Sequence, residues 1–307
     1  VDQAHFLLAM IMANVSIMVF MQLYFFAKNN WKDKLNEVLI CVTFLKPAVD
    51  AYRVSTNYEY EREGDAMQAM VFSKCVELAT ESVPGCVFQL YVWMRYPDQA
   101  GSYALVSILI STLSTGFISA MISFDLDVDV KKRKTNPDFY GYVPDDHEKR
   151  GRCFKLMMAI SACHNMSRTT GYAILALIDK RTLLLFWVGE FLPFSMYMIW
   201  NFSRFYYHIT LTNLPFVMVI EFISISVKKI ILDFTGCFHW RHPYLGCNGR
   251  LYSASLVWSQ IFPFVALFLL NKQENADLMT DGAMNTVTII LVCSSIAWLL
   301  MNIAFFC

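Results

Sequence analysis

The sequence predicts an all-α protein, a polytopic transmembrane bundle of about eight spanning helices plus one broken, re-entrant or interfacial segment. Three observations carry this. Apolar residues make up 56% of the 307-residue chain and charged residues 16%, against about 45–50% and about 25% in soluble domains. Apolar stretches recur at about 20 residues, the length that crosses a bilayer core of about 30 Å as a helix. These stretches do not alternate in polarity over about ten residues, as barrel strands do. Mean hydropathy is +0.42, which excludes a disordered chain and leaves too little polar surface to cover a soluble one. Basic and acidic residues balance at 25 each, so no nucleic-acid partner is expected. The 25 Phe, 15 Tyr and 7 Trp suit contact with lipid and its interfaces.

Along the chain, six stretches have the length and apolarity of a span: 6–27, 103–124, 153–178, 182–200, 251–270 and 287–306. Three more are compromised by polar residues. Segment 37–52 is short and carries Lys46, Pro47 and Asp50. Segment 66–94 carries Lys74, Glu77, Glu81 and Pro84, and 214–232 holds Glu221, Lys228 and Lys229. The chain opens at Val1 close to one apolar run and closes at Cys307 after another, so it reads as a trimmed chain. The first run is too long for a signal peptide and reads as a spanning helix. Stretch 125–152 contains Pro137, Gly141 and Pro144 and reads as a loop with turns. It separates a first helical half, 1–124, from a second, 153–307, within a single membrane domain, 1–307.

Lys and Arg in short loops set orientation. Loop 125–152 holds seven: Lys131, Lys132, Arg133, Lys134, Lys149, Arg150 and Arg152. It is expected in the cytoplasm, with the chain in the plasma membrane or an endomembrane. Lys28, Lys32 and Lys34 follow the first span, while Lys228, Lys229, Arg241 and Arg250 cluster much later. Nine full spans cannot put all these groups on one side. Eight crossings plus one partial segment bring the first-span loop and the central loop together.

The chemistry lies in charges inside apolar runs. Each costs about 2.5–3.5 kcal/mol at mid-bilayer even on the lenient scale, so they are expected to meet one another or water. Lys46, Asp50 and Arg53 share one helical face, as do Lys74, Glu77 and Glu81. His164 and Arg168 are i, i+4 on a third helix, and Glu190 and Glu221 stand on two others. Within the apolar runs three bases (Lys46, Lys74, Arg168) face five acids (Asp50, Glu77, Glu81, Glu190, Glu221). The excess acid suits a protonated carboxyl, a bound cation or polar headgroups. Internal salt bridges that fix packing are the alternative. Glu77 and Glu81 are expected to face protein or water, with Lys74 or Lys46 near one of them. In SKCVELATESVPGCVFQLYVWM, Pro84 removes a backbone donor towards the Thr80 carbonyl and Gly85 adds flexibility. The expectation is a broken or re-entrant helix lining a cavity, or else a kink in a packed helix.

The run ESVPGCVFQLY (81–91) resembles the E-x-x-P-Q-L…Q-L-Y signature of the XK-related membrane proteins, which include phospholipid scramblases. The following SILISTLSTGFISAMISFDLDVDVKKRK resembles that family's next helix and its acidic-then-basic cytoplasmic stretch. The resemblance covers roughly 70–134, and Gly85-Cys86 stand where the family has Gln-Leu. The second half, with DFYGYVP and DFTGCFHWRHPY, resembles uncharacterised multi-pass membrane proteins of algae and water moulds. The resemblance implies a scramblase-like fold and ATP-independent movement of phospholipids between leaflets. It implies a polar furrow, with Lys46, Asp50, Lys74, Glu77, Glu81, Arg168, Glu190 and Glu221 as its lining. An ion channel or solute carrier using the same carboxylates, or a structural subunit of a membrane assembly, are the alternatives. Expected partners are membrane lipids, with a second copy of the chain or another membrane protein also open.

Other motifs point elsewhere. Cys237, His239, His242 and Cys247 form C-x-H-x2-H-x4-C, with zinc ligand types at a non-standard spacing. A Cys237–Cys247 disulfide requires that loop to be non-cytosolic. The expectation is no metal and no cofactor, with those four residues as the alternative ligands. Asn201-Phe-Ser203, Asn14-Val-Ser16 and Asn165-Met-Ser167 match the glycosylation sequon, the last two within spans. His164 with Glu190 or Glu221 would be an intramembrane acid/base pair, but HExxH and GxSxG motifs are missing from the sequence, so no enzyme is expected. No GxxxxGK(S/T) phosphate loop is present either, which argues against ATP-driven transport.

Overall fold

Backbone groups inside lipid must bond within their own segment, which selects helix for each apolar run. In the computed structural model the described residues are 2–21, 23, 31–56, 66–135, 141, 143–202, 222, 225–226, 229–230, 233–234, 250–272 and 279–306. Among them there is no strand. The helices are α1 (Asp2–Met21), α2 (Trp31–Val42), α3 (Lys46–Ser55), α4 (Ala66–Glu77), α5 (Val83–Arg95), α6 (Pro97–Val128), α7 (Val130–Thr135), α8 (His147–Ile178), α9 (Lys180–Phe202), α10 (Arg250–Lys272) and α11 (Asp281–Phe306). The described residues between 222 and 234, including Lys229, Asp233 and Phe234, are helical as well.

Among the described residues, three helices are long and apolar enough to cross a membrane: Tyr103–Asp125 in α6, Ser255–Lys272 in α10 and Asp281–Phe305 in α11. This is fewer than the eight expected. Between 22% and 39% of their most apolar stretches is buried, so most of that surface faces outward. Val106, Leu109 and Ile110 on α6, Val257, Ile261 and Phe268 on α10, and Ile289, Ile296 and Leu300 on α11 are exposed accordingly. Helix α8 reverses the pattern. It is the polar one, yet His164, Asn165, Ser167, Arg168, Thr169 and Thr170 are all fully buried. It runs through the middle of the bundle, against α5, α6, α9, α10 and α11. A helix sheathed by other helices does not need an apolar surface, so α8 is not among those three helices although its 153–178 stretch is expected from sequence to span.

Close approach explains two glycines. A Cβ on Gly116 of α6 would lie 2.7 Å from the Ala162 backbone of α8, and one on Gly171 of α8 would lie 2.7 Å from the Phe262 ring of α10. The main core joins both halves, from Val71, Leu78, Leu90 and Met94 to Ile174, Phe262, Val287 and Leu291.

Two expectations need correction. The Pro84-Gly85 pair does not break its segment. Helix α4 passes through a π turn, Leu78–Ser82, straight into α5. Glu77, Ser82 and Val83 all keep right-handed helical dihedrals. The Val83 N–H donates to the Leu78 carbonyl, five residues back. This wider turn gives room ahead of the proline ring, whose missing N–H falls in the first turn of α5. The interruption lies instead at 43–45, between α2 and α3, where Phe44 has φ 59°. At 12 and 10 residues these two helices are each too short for a core of about 30 Å.

Stretch 125–152 is also more helical than a loop with turns. Helix α6 continues to Val128, α7 follows, and α8 starts at His147 with Asp146 accepting from the Glu148 N–H at 2.9 Å. Asp127, fully buried, gathers this connection. It accepts from the backbone N–H of Gly141 and of Val143, each at 2.9 Å, and from Arg133 at 3.2 Å. Val143 thereby packs into a second core with Ala120 of α6 and Met157 of α8.

Candidate functional site

Among the described residues, the charges within and beside the apolar runs sort into three neutral groups and one acidic remainder. The first group spans α2, α3 and α4. Lys46 pairs with Asp50 one turn on, with both side chains buried. Asp50 also accepts from Ser73 Oγ at 2.8 Å. Arg53 leaves that face and grips Glu37 of α2 with both terminal nitrogens.

The second group lies at the centre of the molecule. Arg168, fully buried, donates to Glu190 Oε2 of α9 at 2.7 Å and lies 2.9 Å from Asp233 Oδ2. It also donates to Ser259 Oγ of α10 at 2.6 Å and to Tyr172 OH at 3.1 Å. Lys229 pairs with Asp233 and stands 3.9 Å from Glu190. Two bases thus meet two acids. The Trp258 indole N–H and Tyr172 O–H also donate to Glu190. Phe262 and Phe234 flank the guanidinium, at 5.7 and 5.4 Å from ring centre to Cζ. His164 is not an acid/base partner of Glu190. Its Nδ1 accepts from Gln260 at 3.1 Å, which leaves the proton on Nε2 to donate to the Asp233 carbonyl at 2.7 Å.

The third group is Lys74 with Asp125 of α6, 2.8 Å apart. Lys74 and Lys46 thus each pair with an aspartate of their own, while Lys74 still lies close enough to Glu77 for their charges to attract, as expected of one of the two lysines. Near the end of the sequence-defined span, Asp125 is simply closer to the lysine than either glutamate.

What remains is Glu77 and Glu81, neither in an ion pair among the described residues. They lie at the start of the π turn and within it, near the middle of a helical run, 66–95, about 45 Å long at about 1.5 Å per residue. Glu77 is half-buried, and its charge and that of Glu81 oppose each other. Glu81 is exposed, and its Oε2 accepts from Asn14 Nδ2 of α1 at 2.7 Å. Of the five acids counted in the apolar runs, four are described, and these two are the ones in no ion pair among the described residues. Pro84 and Gly85 lie directly after the turn, with Met10 of α1 3.6 Å from where a Gly85 Cβ would stand. Glu221, and Cys237, His239, His242 and Cys247, lie outside the described residues.

Sequence reasoning missed Asp125, Asp233, Lys229 and Asn14. A signal for two of them was present. KPAVD (46–50) and KIILD (229–233) are the same Lys-x-x-x-Asp pattern in apolar surroundings, and both form buried pairs.

Comparison with protein-family models, curated proteins and solved structures finds no match for the chain.

Proposed function

We propose that the chain is a multi-pass integral membrane protein that moves phospholipids between leaflets without ATP, along a furrow beside the π turn. One observation supports this above others: Glu77 and Glu81 are in no ion pair among the described residues, halfway along a helical run, and Glu81 is open at the surface. A headgroup crossing the bilayer needs a polar surface beside which its tails stay in lipid. An exposed carboxylate offers one; a buried neutral pair such as Lys46–Asp50 does not. The motif run that resembles the XK-related signature, 81–91, begins at this same Glu81. In this reading the buried Arg168 group holds helices together, and the eight crossings are α1, 66–95, α6, α8, α9, 214–232, α10 and α11. Helices α2 and α3 are the partial segment, and loop 125–152 is cytoplasmic.

A second reading, a cation channel or carrier, draws on the same excess of negative charge. Reconstitution separates them. The purified chain in liposomes with trace acyl-labelled phospholipid is expected to let dithionite quench beyond the outer leaflet without ATP. Glu81→Gln keeps size and hydrogen bonding, and is expected to slow transfer about tenfold, the scale of one charge-assisted bond, with thermal unfolding unchanged. Quenching that stops at the outer leaflet in folded protein overturns the lipid reading. Ion current in those vesicles then favours the channel, and neither activity favours a structural subunit.

A further inference from the structure

The furrow has a chemical preference. Asn14 is 8% exposed, its Nδ2 is committed to Glu81, and its Oδ1 is buried without a partner among the described residues. The amide is held in place, because Phe6 stacks on Phe88 at 4.8 Å and Met10 packs over Gly85, fixing this face of α1 against α5. A buried acceptor left unpaired is costly. The acceptors gathered here are the buried amide oxygen of Asn14 and the carboxylate oxygens of Glu77 and Glu81, and they outnumber the one N–H of the Asn14 amide that Glu81 does not use.

We propose that Asn14, Glu77 and Glu81 form a binding site for a primary ammonium group. An R–NH3+ group has three N–H donors and one positive charge, which match one amide oxygen and two carboxylates. A quaternary ammonium has no N–H to give, and aromatic faces are what recognise it. The group is the headgroup amine of ethanolamine- or serine-bearing phospholipid, or a free alkylamine. The lipid source rests on the lipid-moving reading; the ammonium chemistry does not.

The test is a methylation series on the full chain in phosphatidylcholine liposomes. Acyl-labelled phosphatidylethanolamine, its N-methyl and N,N-dimethyl forms and phosphatidylcholine keep one positive charge and exchange one N–H for a methyl at each step. Transfer is expected to slow at each step, by about tenfold from first to last, the scale of one charge-assisted hydrogen bond. Asn14→Leu is expected to level the series, read as the ratio of end members in protein whose thermal unfolding is checked. Binding of ethylammonium to the detergent-solubilised chain is measured alongside, with tetramethylammonium and potassium as competitors. Equal rates across the series, with transfer intact, overturn the ammonium site and leave lipid transfer standing. Potassium displacing ethylammonium at equal concentration overturns it as well. Ethylammonium binding that Glu81→Gln abolishes, with no lipid transferred, sustains the site for a free amine and overturns the lipid-moving reading. Neither binding nor transfer overturns both.

Discussion

At Arg168 one guanidinium satisfies groups from three helices and the 222–234 stretch, and that geometry suits arginine alone. Its planar fork reaches Glu190, Asp233, Ser259 and Tyr172 together, whereas a lysine ammonium is a single point. Arg168→Met would leave two acids against Lys229, and breaking a buried pair this way costs about 3–5 kcal/mol. The expected outcome is a large loss of thermal stability in detergent, with Arg168→Lys intermediate, read by tryptophan fluorescence on heating. Glu81→Gln shows no such loss if the roles divide as described, so a stability scan separates the structural charge from the functional one. The sequence foretold that Arg168 would need acids, and Glu190 was in view. Asp233 was not, because it lies just past the apolar run that ends at Leu232, where a charge attracts no notice. Only the fold carries it under Arg168.

The π turn shows how an element can keep a proline and still run on. Pro84 was legible as a disturbance, since it lacks a donor wherever it stands. Its form was not, because nothing local distinguishes a break from a turn widened by one residue. Contacts from other helices flank the turn, with Asn14 of α1 bonded to Glu81 and Thr115 of α6 to Cys86. Pro84→Ala restores an N–H and allows the segment to relax towards uniform α-helix, rotating Glu77 relative to α5. Thermal stability is expected to hold or rise while lipid transfer falls about tenfold, on the scale of one lost charge-assisted contact. Unchanged transfer in the liposome assay would show that the widened turn is not what sets the furrow. The break at 43–45, by contrast, left little trace in the sequence. Thr43, Phe44 and Leu45 contain no glycine, and the left-handed Phe44, itself exposed, is held by local backbone bonds, its N–H to the Cys41 carbonyl and the Leu45 N–H to the Ile40 carbonyl, each at 3.2 Å.

At the scale of the whole molecule, polarity is arranged inside out, with exposed Ile, Leu and Val on α6, α10 and α11 and a polar α8 at the centre. Helix α8 then decides the topology. It is 32 residues long, about 48 Å, more than enough to cross. His164 and Arg168 would make insertion costly for it alone. Within the bundle the cost is offset, because Arg168 meets Glu190 and Asp233 and the His164 ring is bonded at both nitrogens. If α8 crosses, its two ends lie on opposite sides, with Glu148 beside the basic stretch on the cytoplasmic one. Both Glu148 and Asp179 are exposed positions, so a cysteine can report on each. With an impermeant maleimide mass tag on intact cells, counted against the native thiols, Asp179→Cys is expected to label and Glu148→Cys to label only after permeabilisation. For a plasma-membrane chain the cells are used directly; for an endomembrane one, sealed microsomes with the cytoplasmic face outward reverse the pattern. Labelling of both positions from one side would mean that α8 does not cross. The four basic residues between α6 and α8 and the three in the first turns of α8 would then have to be explained without the membrane.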